Sequence, residues 1–188
     1  MLLTATLAGG CGVSSKNPLG NPEAAVVDAK LMGMWNLRMP DEDDGAAVFL
    51  HIGRAEDGGD SGLLRCLAVF HNLRRTLPPA SMAEMFTTEI GNRRLLNVKW
   101  LAESGSGQYS FLKYDVDDEQ LRLYPLRKEP VAQAIEKDEI AGSLSWAVVT
   151  QSVNLTEDPD SLLKFMARTD DETLFGSSTN LVFDHISR

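Results

Sequence analysis

Basic side chains are scarce in this chain: 18 lysines and arginines stand against 27 aspartates and glutamates, a formal charge of −9 at neutral pH. An acidic balance of that kind repels phosphate backbones and anionic lipid, and the doublets Arg74-Arg75 and Arg93-Arg94 build no basic patch, so no nucleic-acid partner is expected. Cysteine is rarer still. Two thiols in 188 residues make no disulfide framework, and a chain this long buries roughly 70% of its unfolded surface without one. Cys66, between Leu64 and Phe70, reads as a small buried hydrophobe. There is no 18-residue apolar run, which excludes a membrane-spanning helix. The three histidines, His51, His71 and His185, share no i, i+2 or i, i+4 spacing, so no metal site is expected. The acidic run Asp41 to Gly45 lacks the calcium-loop pattern, its glycine coming too early. With no phosphate-cradling glycine loop, nucleophile elbow or paired-histidine helix, the sequence offers no catalytic residue and no cofactor, and an enzyme is not expected. A hydrophobic share of 43% and a charged share of 24% describe an ordinary globular domain.

The first residues, MLLTATLAGGCG, are apolar and then small directly before Cys11. They resemble the end of a bacterial lipoprotein signal peptide, which implies acylation of Cys11 and a lipid anchor in the cell envelope, facing the periplasm. Ala8 stands where leucine is usual, and a basic n-region would have to come from an upstream start codon. If Met1 is the true start, the expectation becomes a cytoplasmic chain with an ordinary Cys11. Ser14 to Asn21 is polar and broken by Pro18, so residues 1–20 read as signal remnant and flexible tether, with one domain over residues 21–188. Asn21-Pro22-Glu23 offers an N-cap and first turn for a short helix to Val27 or Ala29.

Alternation then takes over. It predicts strands from Leu31, over Ala47–Arg54, Leu63–Asn72, Met85–Ile90, Arg94–Leu101, Tyr109–Val116, Leu121–Leu126, Ser143–Val153 and Leu181–Ile186. Gly91-Asn92 and the acidic Asp117-Asp118-Glu119 are hairpin turns. Pro130 opens one short helix, and Asp158-Pro159 opens another with Leu162, Phe165 and Met166 on one face. Many short strands in hairpin order with two or three brief helices predict a mainly β fold, an antiparallel sheet closed into a barrel.

Gly33-Met34-Trp35, opening the first strand after a short helical entry, resembles the lipocalins and the wider calycin group. Taken with NPL, PEAAVVD, FLHIGR, YSFLKY and the late LLKFMA helix, the chain is also similar to a group of bacterial lipoproteins of unassigned role. The resemblance spans Asn21 to Phe183. It implies that Gly33 permits close chain approach and that Trp35 plugs the closed end of the barrel beneath a late arginine, for which Arg168 and Arg188 are the candidates. The second lipocalin motif, of the Thr-Asp-Tyr kind, is absent, and the Pro130 helix is an insertion.

Two functions follow. One is a binding module that holds a small apolar or amphipathic ligand in a lumen lined by Trp100, Phe111, Tyr114 and Trp146, as the resemblance implies. The other is a structural or interaction protein in which those aromatics fill the core and the surface docks on another envelope protein.

Overall fold

The computed structural model describes residues 12–38, 46–55, 62–71, 80–101, 107–147, 150–176 and 181–186. Eight strands close on themselves: β2 (Gly33–Arg38), β3 (Ala47–Arg54), β4 (Leu64–His71), β5 (Ala80–Ile90), β6 (Arg93–Trp100), β7 (Tyr109–Val116), β8 (Gln120–Pro125) and β11 (Leu181–His185). Each pairs antiparallel with the next, and β11 returns to β2 through Asp184↔Asn36 and His185↔Trp35. The result is a closed antiparallel barrel, the mainly β architecture that strand alternation predicted. Closure leaves the barrel wall without an open edge.

Period-two alternation decides which side chains enter. On β3, Val48, Leu50 and Ile52 are buried while Phe49 and His51 are exposed, and on β4 Leu64, Cys66 and Ala68 point in while Leu67 and Val69 point out. The inward rows meet Leu96, Val98, Leu121, Leu123 and Phe183 in one apolar cluster.

A second core lies outside the wall. β1 (Val13–Ser15) pairs parallel with β10 (Thr150–Leu155), which pairs antiparallel with β9 (Gly142–Ala147), while Ser15 meets Tyr109 at the start of β7. Three helices, α1 (Lys128–Glu136), α2 (Pro159–Arg168) and α3 (Asp171–Phe175), bury Val131, Leu162, Phe165, Met166, Leu174 and Phe175 against Leu95 and Phe111. Asp158 caps α2, accepting from the Asp160 and Ser161 N–H groups, and Asp170 caps α3 through the Thr173 N–H. Arg93 joins this layer to the barrel by pairing with Asp171 and donating to the Met166 and Thr169 carbonyls. Among the described residues no helix is long and apolar enough to cross a membrane.

Four expectations are corrected. The segment expected to be a tether is packed: Ser14 and Ser15 form β1, and Leu19 is fully buried with its N–H on the Asn97 carboxamide oxygen at 2.7 Å. Polar side chains concealed a strand whose stability comes from main-chain pairing with β10. The expected entry helix is two 3-10 turns, Pro22–Ala24 and Ala29–Leu31, capped by Asn21 and Asp28. Each ends in extended backbone, the first at Ala25 and the second at Met32, where the chain passes into β2. Ser143–Val153, read as one strand, is the β9–β10 hairpin, with Thr150 opposite Ala147 and no glycine or proline to announce the turn. The short α3 was missed, five residues being too few for a periodic signal.

Candidate functional site

Antiparallel alternation puts the start of β2, the ends of β3 and β11, the β5–β6 turn and the β7–β8 turn at one end of the barrel. Trp35 sits inside that end, 1% exposed, its indole N–H donating to the Leu31 carbonyl at 2.9 Å. Its ring meets the His185 imidazole with centroids 4.8 Å apart, tilted by 58°. Gly33 makes room for that contact. It holds φ at +139°, and a Cβ there would lie 2.7 Å from His185 Nε2. Among the described residues the side chain stacked on Trp35 is a histidine, where the resemblance implied a late arginine. Arg168 instead pairs with Glu139 at 3.1 Å and lies over Phe165, and Arg188 lies outside the described residues.

The four aromatics assigned to a lumen are not brought together. Tyr114 belongs to the interior cluster, and Trp100 is half-buried against it. Phe111 faces the other way, into the helix layer, because it alternates with Leu112 and Tyr114 along β7. Trp146, on β9, is 72% exposed and lies outside the barrel altogether. Cys11 lies outside the described residues. Cys66 faces inward, and burial pushes its thiol up to about 12.

Residues 20–28 form a strap across the same end of the barrel. Asn97 anchors it, accepting the Leu19 N–H while its amide donates to Thr88 Oγ1 at 3.0 Å. Thr88 donates in turn to the Leu19 carbonyl at 2.6 Å, and Thr87 donates to the Val26 carbonyl at 2.7 Å. Gly62 lets the strap pass: a Cβ there would sit 2.0 Å from the Ala25 carbonyl oxygen. Beneath the strap lies a cleft of about 600 Å³ whose far wall is Thr87, Glu89, Arg94 and Tyr114, with Ala24, Ala25 and Val27 on the strap side. Asp28 closes it. Its Oδ2 accepts from the Tyr114 hydroxyl at 3.1 Å and from Arg94 at 3.2 Å, and the guanidinium lies over the Tyr114 ring at 5.0 Å. Burial, and then the Asp28 carboxylate, push the Tyr114 phenol well above its ordinary range, so it stays a neutral donor. Sequence reading overlooked this cleft. The signal was present in Asp28 and in the polar inward positions Thr87, Glu89 and Arg94, which break the apolar rows of β5 and β6.

The outer face of β2 to β5 carries two lateral rows in which exposed apolar side chains are interrupted by His51 and Asn36. Register places Met34, His51, Leu67 and Met82 in one row and Asn36, Phe49, Val69 and Ala80 in the other. Among the described residues no group of three or more histidine, cysteine or carboxylate side chains is placed to hold a metal ion. No family model, curated protein or solved structure matches the chain.

Proposed function

We propose that this protein is a non-enzymatic, lipid-anchored envelope barrel of lipocalin-like type that binds a small amphipathic molecule. The proposed site is the cleft beneath the strap rather than the lumen on which the sequence reading centred. The observation that carries the reading is the cleft itself. Its volume of about 600 Å³ falls within the range of ligand pockets, apolar strap residues form one wall, and a few fixed polar groups converge on the other. The inward apolar rows support moving the ligand out of the lumen, because they meet in one contiguous cluster where a calyx would open. Side-chain hydrogen bonds of Asn97, Thr87, Thr88, Tyr114 and Arg94 hold the strap and its Leu19 approach, so the cleft is formed before a ligand arrives.

The test is binding of the neutral fluorescent amphiphile N-phenyl-1-naphthylamine to the full chain and to Ala24→Trp, which places an indole into the cleft from an exposed strap position. Saturable binding by the parent chain, lost in the variant at unchanged thermal stability, supports the reading. Equal binding by both chains places the probe elsewhere and refutes it. The second reading, a filled barrel docked on another envelope protein, is favoured by the apolar rows on β2 to β5. It predicts that Leu67→Glu with Met82→Glu abolishes a stoichiometric envelope complex that Ala24→Trp leaves intact.

A further inference from the structure

Donors and acceptors in the cleft are unevenly spent. The Thr87 hydroxyl gives its proton to the Val26 carbonyl, the Thr88 hydroxyl to the Leu19 carbonyl and the Tyr114 hydroxyl to Asp28. Arg94 also turns to Asp28, and its guanidinium plane rests over Tyr114. The lining thus holds three hydroxyl oxygens whose protons are engaged and the carboxylate of Glu89, with one Arg94 nitrogen already paired to Asp28. Glu89 stands opposite Arg94 in the β5–β6 ladder, is exposed, and has no ion-pair partner among the described residues, because the guanidinium reaches across to the strap instead. Two carboxylates and one guanidinium leave the lining one unit negative, within a chain whose net charge is −9. An anionic head group would meet both Glu89 and the long-range field of the chain, and its one cationic contact is already held by Asp28. A cationic donor meets the opposite conditions.

From this arrangement, and resting on the cleft as the ligand site, we infer that the cleft selects an amphipathic organic cation. Its ammonium or guanidinium head sits at Glu89, and its apolar body lies along Ala24, Ala25 and Val27. The strap supplies the apolar wall, and the β5–β6 ladder supplies the charge.

The experiment is displacement of bound N-phenyl-1-naphthylamine from the full chain by three decyl compounds that share one apolar body: decylammonium, decanol and decanoate, each below its micelle concentration. Decylammonium is expected to displace the probe about tenfold more effectively than decanoate at low salt, with the gap closing as ionic strength rises. Glu89→Gln, a change at an exposed position, is expected to weaken decylammonium about fivefold and to leave decanol unchanged. Decanoate or decanol binding as tightly as the amine, or an amine preference that survives Glu89→Gln, overturns the inference while leaving the cleft as a ligand site. If no decyl compound displaces the probe, and Ala24→Trp does not alter probe binding, the cleft fails as a site and the inference fails with it.

Discussion

Trp35 is the residue whose removal tests the architecture most directly. It is 1% exposed, packs on His185 and ties the turn Ala29–Leu31 to the first barrel strand through its bond to the Leu31 carbonyl. Trp35→Ala deletes the whole ring from a buried site walled by His185, so a cavity term adds to the lost transfer free energy and the cost is about 3–5 kcal/mol. Trp35→Phe separates the contributions. It keeps most of the apolar volume but leaves the Leu31 carbonyl without its donor, for a loss of about 1–3 kcal/mol. For a domain of this size those costs lower the thermal midpoint by roughly 6–20 °C for alanine and by about 2–12 °C for phenylalanine. Far-ultraviolet circular dichroism is the suitable assay, because it does not depend on the deleted fluorophore. A Trp35→Ala midpoint equal to that of the parent chain would refute the assignment of Trp35 as the plug. A Trp35→Phe variant as damaged as Trp35→Ala would show that the hydrogen bond, rather than the ring, carries the end of the barrel.

Three further outcomes follow from the same geometry. Asn97→Ala orphans the buried Leu19 N–H and frees Thr88, so it should cost about 1–3 kcal/mol and raise hydrogen exchange across residues 19–28 before it affects β3 and β4; unaltered exchange in the strap would contradict its anchoring role. The Cys66 thiol, pushed up to about 12 from 9.0 by burial, should hold about a thousandfold less thiolate at pH 8 than an exposed cysteine, and react with a disulfide reagent only after unfolding; prompt reaction of the native chain would place Cys66 outside the core. Asp158 is held below the ordinary carboxylate range by the N–H of Ser161, so its stabilising effect is present above the unfolded value and is lost as the pH falls through the folded one. The stability gap between the parent chain and Asp158→Ala should therefore narrow between pH 5 and strong acid, and a gap constant over that range would exclude an ionised cap.

The sequence by itself determined what local chemistry controls. Alternating apolar residues defined Ala47–Arg54 and Tyr109–Val116 to the residue, Gly91-Asn92 turned β5 into β6 with Gly91 at φ +62°, and Asp158-Pro159 opened α2. Short strands in hairpin order with few helices sufficed for the barrel, because a sheet with one apolar face must close or be covered. Gly33 and Trp35 stood out at the start of the first barrel strand, but His185, far away in the chain, was legible only once β11 paired with β2 and brought it over the ring. The same holds for Ser14 to Leu19, whose polar letters read as tether until Asn97 and β10 supplied partners for their backbone. Phe111 and Tyr114 show the limit most plainly. Both are aromatic residues on one strand, yet the pleat sends Tyr114 into the barrel and Phe111 toward the helices, so period alone separates the two faces without saying which is inside. The cleft is a tertiary object altogether. Asp28, Glu89, Arg94 and Tyr114 come from three parts of the chain, and only the crossing of the strap over the barrel end sets their charges and spacing, because electrostatic pairing acts through distance in space and leaves no period in sequence.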